Sequence, residues 1–88
     1  MAWQIEFTPE AEKQLSKIDR QSAKRIIKFL SERIAPADDP RIVGKALKGV
    51  LREFRRYRVG NYRIICKIED NRLLILVVRI AHRSDVYR

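Results

Sequence analysis

Two turn signals divide the second half of this 88-residue chain into three strand-length runs. Gly60-Asn61 separates a run from about Leu51 to Val59 from a run over Tyr62 to Glu69, and Asp70-Asn71 separates the latter from Arg72 to Ile80. Runs joined by turns this tight pair with their neighbours as hairpins. The segment is therefore predicted to form a three-stranded antiparallel meander.

The first half reads differently. Trp3-Gln4-Ile5-Glu6-Phe7 alternates apolar and polar residues, the pattern of a half-buried strand. Thr8-Pro9-Glu10 is a helix start, with a capping hydroxyl, proline at the first helical position and acid in the first turn. Ala11, Leu15 and Ile18 keep one face of that helix. Asp19 caps a second helix, where Ala23, Ile26, Ile27, Leu30 and Ile34 make an amphipathic stripe. Lys24, Arg25 and Lys28 lie off the stripe and read as a solvated face, with antitoxin or nucleic-acid contact as the alternative. Ala35 to Pro40 ends the helix. Arg41 to Gly49 reads as a linking segment, pinned to the core by Ile42, Val43 and Leu47. The expected order is β-α-α-β-β-β, an α+β fold with a helical hairpin on one face of a mostly antiparallel sheet. One domain over residues 1–88 is expected.

Parity within the strands sorts the charges. Tyr62, Ile64, Cys66 and Ile68 share one face, with Arg63, Ile65 and Lys67 on the other. In the preceding run Arg56 and Arg58 share a face opposite Tyr57 and Val59. Pairing can bring Arg56, Arg58 and Arg63 onto the face that the helices leave open. The apolar run 73–78 fits either face.

Charge points to the same half. Residues 1–44 carry 8 basic and 7 acidic residues, whereas 45–88 carry 12 basic and 4 acidic. From Arg52 to Arg63 five arginines stand against one acid, Glu53. Such a surface fits a nucleic acid or an acidic protein partner. Cys66 lies in an apolar run and reads as a buried, inert thiol. No apolar run approaches the ~20 residues of a membrane span, and no signal-peptide pattern opens the chain. A cytoplasmic protein is expected. One His and one Cys give no metal-ligand spacing, and three scattered glycines give no phosphate loop. No metal or cofactor is expected. His82, Ser84 and Asp85 are too close in sequence for triad geometry.

Arginine, lysine, tyrosine and a single histidine remain, and RNA cleavage can run on these. The RNA supplies its own nucleophile, the 2′-OH. The protein must move two protons and neutralise the charge on the phosphorane. The same residues also fit a basic patch that binds phosphates without chemistry.

Leu47-Lys48-Gly49, then Arg56-Tyr57-Arg58-Val59-Gly60-Asn61-Tyr62-Arg63, then His82-Arg83-Ser84-Asp85-Val86-Tyr87 resemble the RelE branch of the RelE/ParE toxin superfamily. Phe7-Thr8-Pro9-Glu10-Ala11 and the helical hairpin fit too. The resemblance implies a microbial-ribonuclease-type fold. It implies the toxin of a type II toxin–antitoxin pair, a ribosome-dependent mRNA interferase that cuts in the A site without metal. The implied partners are mRNA, the ribosome and an acidic RelB-like antitoxin held in a hetero-oligomer; no membrane is implied. By position Arg63 would stabilise the scissile phosphate. Arg83 would do the same or protonate the leaving group. Tyr87 would stack on a base or orient the nucleophile. Lys45, Lys48, Arg52, Arg55 and Arg58 would contact RNA or ribosome. The family's basic strand holds lysines, one of them a general base. Here Arg56 takes one of those positions and Phe54 the other. Arginine is a poor base, and His82 is the alternative. The Arg83–Tyr87 spacing is also tighter than the family's. A ParE-like toxin that binds gyrase without catalysis stays open, as does a plain RNA-binding module.

Overall fold

A computed structural model describes residues 3–42, 44–46 and 54–84. Strand β1 (Gln4–Phe7) leads into helices α1 (Pro9–Lys17) and α2 (Arg20–Phe29). Strands β2 (Lys45–Ala46), β3 (Phe54–Val59), β4 (Tyr62–Glu69) and β5 (Leu74–His82) follow. The sheet order is β1-β5-β4-β3-β2. β1 runs parallel to β5 and the other pairs are antiparallel. The α+β class and the meander are as the sequence predicts. β2 is additional: it lies within the expected linking segment. The pinning assigned to Ile42, Val43 and Leu47 falls on side chains outside the described residues, as does the expected strand start at Leu51.

Capping sets both helix starts. The Thr8 hydroxyl accepts from the Ala11 N–H at 3.1 Å, and the Asp19 carboxylate accepts from the Ser22 N–H at 2.9 Å. The latter contact holds the Asp19 carboxyl below its ordinary pKa. β1 ends at Phe7, which leaves β5 with an open edge beyond Val77. Helix α1 covers it, with Gln14 Oε1 accepting from the Ile80 N–H at 2.7 Å. α2 continues into one wide turn, Leu30–Ile34. Ile26, Leu30 and Ile34 are fully buried against the sheet, while Ile27 is 48% exposed. The apolar stripe is thus narrower than the sequence predicts, because a single row of every fourth residue fills the contact.

The core lies between the helices and one sheet face, where Tyr57, Val59, Ile64, Cys66, Ile68, Ile75, Val77 and Ile80 pack. Burial pushes the Cys66 thiol up in pKa, as an inert sulfur requires. The Asp70-Asn71 turn is longer than predicted. Asp70–Arg72 forms a 3-10 turn and Leu73 takes φ +47°, so β5 starts at Leu74. A bulge opposite Ile65/Cys66 then shifts the register of β5 by one residue. The run 73–78 carries no parity signal because all its residues are apolar, and the bulge at its end sets the face of Arg79.

The sheet's outer edge is held by Tyr57. Its hydroxyl donates to the Pro40 carbonyl at 2.7 Å in a buried setting. Gly44, at φ +83°, lets the backbone lie against that ring. A Cβ there would stand 2.5 Å from the Arg56 carbonyl and 2.7 Å from Tyr57 Cδ1. Tyr57→Phe should lower stability by about 1 kcal/mol, the usual worth of one buried hydrogen bond. Gly44→Ala should cost more, since both backbone and packing must shift. Urea unfolding would rank them; a neutral Gly44→Ala would contradict this packing.

Candidate functional site

The β3–β4 turn organises the basic face. Gly60 has φ +58° while Asn61 stays at negative φ, the pattern of a type II′ hairpin. This turn fixes a register in which Arg58 pairs with Arg63, Arg56 with Ile65 and Val59 with Tyr62. Arg56, Arg58 and Arg63 therefore share the helix-free face. β5 returns beside the turn, where the Arg83 N–H donates to the Asn61 carbonyl at 2.6 Å. Arg58, Arg63 and Arg83 then line one open cleft of about 180 Å³ with Gly60, Asn61 and Tyr62. Three arginines lining so small a space make the cleft strongly basic.

A second, larger cleft of about 370 Å³ adjoins it through Arg58. Phe29, Gly44, Lys45, Arg56 and Tyr57 complete its lining. Lys45 pairs with Arg56 across β2 and β3, so this cleft brings three cations beside an aromatic wall. Arg79 joins the same face because it pairs with Ile65 on β5. Sequence reasoning left it out, since its face depends on the bulge.

Two expected members stand elsewhere. Arg55 pairs with Cys66, on the side facing the helices. Its guanidinium donates to the Gly44 carbonyl at 3.0 Å and to the Arg41 carbonyl. It ties down the 41–44 segment rather than joining the basic face; its strand parity with Tyr57 was the available signal. His82 pairs with Tyr62, across the sheet from Arg63. The two rings meet edge to face at 5.2 Å. Lys48, Arg52 and Tyr87 lie outside the described residues.

His82 also has a defined hydrogen-bond role. Its Nδ1 accepts from the Ser84 N–H at 3.2 Å and lies 2.7 Å from Ser84 Oγ. A backbone N–H can only donate, so the neutral ring carries its proton on Nε2. Its basic lone pair is then engaged by Ser84. Nitrogen-15 shifts of the neutral imidazole should show the Nε2–H tautomer; an Nδ1–H tautomer would contradict this geometry.

Residues 5–87 match the family model described as the ParE toxin of the type II toxin–antitoxin system parDE. The toxin RelG of Mycobacterium tuberculosis is 28% identical over 100% of this chain and 99% of its own length. Toxin RelE of the same organism is 26% identical over 98% of this chain and 87% of its own. Among solved structures, the M. tuberculosis toxin–antitoxin complex RelBE2 holds a chain similar at TM-score 0.84 and 26% identity, with 97% and 95% of the two chains covered. The intact Escherichia coli RelBE toxin–antitoxin complex holds one of the same fold, at TM-score 0.77 and 20% identity over 99% and 100%. The chain therefore belongs to the ParE toxin family of type II toxin–antitoxin systems and, within the RelE/ParE superfamily, is of the RelE type.

Proposed function

We propose that this chain is a ribosome-dependent endoribonuclease that cuts mRNA in the ribosomal A site and so halts translation. The observation that supports this most is the convergence of Arg58, Arg63 and Arg83 on one cleft at a rigid hairpin turn. In the reaction the 2′-hydroxyl gives its proton to water as its oxygen bonds to the adjacent phosphorus. The bond from phosphorus to the 5′-oxygen breaks, and that oxygen leaves with a proton. Charge grows on the non-bridging oxygens between these events. Guanidiniums fixed in advance stabilise that charge without reorganising. Arg63 takes this role from a strand start, and Arg83 from the end of β5. Arg83 is alternatively the proton donor to the leaving 5′-oxygen, and Tyr87 is a stacking or orienting group.

The base is the weaker part of the machinery. Arginine, at position 56, is a poor general base. His82 faces the other side of the sheet with Nδ1 engaged. Charge stabilisation and the geometry imposed by the ribosome carry more of the rate in this reading than proton abstraction does. The same reading gives the chain a cytoplasmic setting and an acidic antitoxin. RelB partners occur in the complexes of its structural relatives, and a formal net charge of +9 suits an acidic chain.

The family model's ParE description favours one other reading, a non-enzymatic inhibitor of DNA gyrase. Ribosome-bound mRNA exposed to the protein should show discrete cuts, abolished by a 2′-deoxy nucleotide at the cut. Intact mRNA together with lost gyrase supercoiling would establish the other reading instead.

A further inference from the structure

The turn that holds the arginine cleft has a second side. Gly60, Asn61 and Tyr62 also line a separate cleft of about 230 Å³, closed by Ser22, Arg25 and Val59. Arg25 comes from α2, from the basic row that the sequence places on a solvated face. Its Nη1 stands 3.2 Å from where a Cβ on Gly60 would be. Glycine at that position gives the guanidinium room against the turn. Among the described residues no carboxylate lies within ion-pair distance of Arg25. The acid nearest in sequence, Asp19, is committed to the N-terminus of α2 through the Ser22 N–H.

A fourth arginine thus flanks the same three turn residues that Arg58, Arg63 and Arg83 flank from the other side. Two clefts sharing one turn are laid out for two phosphates of one strand. We propose that the Arg25 cleft binds a phosphodiester of the substrate RNA adjoining the scissile one, so that the strand crosses the Gly60-Asn61 turn. The proposal rests on the ribonuclease reading for its scissile phosphate. Ribosomal RNA offers the same chemical group, so the test separates the two sources.

Binding of 2′-O-methyl RNA, which lacks the attacking hydroxyl, isolates recognition from cleavage. Titration calorimetry would compare a dinucleotide, with one phosphodiester, and a hexanucleotide. Arg25→Gln should weaken the hexanucleotide several-fold and leave the dinucleotide unchanged. It should also reduce the slope of log K against log salt by about 0.7, one phosphate contact on a single strand. Arg25→Lys should keep the slope, because the charge remains, and both variants should keep the wild-type unfolding midpoint. An unchanged hexanucleotide slope in Arg25→Gln would overturn the proposal. So would an equal loss on the dinucleotide, or a loss seen only with ribosomes carrying no mRNA, which would assign the phosphate to ribosomal RNA. Arg63→Ala serves as the reference. If it weakens both oligonucleotides while Arg25→Gln weakens neither, the second cleft falls and the first stands. If neither variant affects either oligonucleotide, both fall.

Discussion

The Gly60-Asn61 hairpin turn is the constraint on which the site depends. A two-residue turn admits one register, and one residue of slip would send every side chain of β4 to the opposite face. With the register seen here, Arg58 and Arg63 stand directly across from each other. The turn also receives the end of β5 through the bond from the Arg83 N–H to the Asn61 carbonyl. Two strand ends joined by the turn, and the chain just past β5, therefore present their charges with little backbone freedom left to lose. Preorganisation of that kind separates a site that stabilises a transition state from a patch that attracts polyanions.

The open face is basic without being wholly polar. Ile65 is 7% exposed although no helix covers its side of the sheet. Register sets it between Arg56 and Arg79 across the strands, with Arg63 and Lys67 two residues away along its own. Long basic side chains lay their methylene stems on apolar neighbours and keep their charges in water. The arrangement lets a small domain use both sheet faces for packing and still present one of them as a basic surface.

Legibility followed the range of the interactions. The helix caps at Thr8 and Asp19 and the Gly60-Asn61 turn are local chemistry, and the sequence states them outright. The face of Arg56, Arg58 and Arg63 followed from strand parity. The bulge opposite Ile65/Cys66 has no sequence signal of its own, and Arg79 was lost behind it. Arg55 went astray for another reason: composition counted its charge, while the fold spends that charge on backbone carbonyls of the 41–44 segment. Arg25 reaches the turn only because α2 packs across β3, a contact over more than thirty residues of chain. His82 was read as the alternative base from its residue type, yet it pairs with Tyr62 and so faces away from Arg63.

The central claim is that the turn cleft stabilises the reacting phosphate rather than merely holding it. The most direct measurement compares affinity with rate in Arg63→Ala. Ribosome binding and single-turnover cleavage of A-site mRNA would be determined on the same preparation. Loss of one preorganised donor to a developing oxyanion costs on the order of 10²–10³ in rate. A fall of at least about that size is expected at saturating ribosomes, with affinity changed far less. A fall only in proportion to weakened binding would make Arg63 a phosphate anchor and contradict the account.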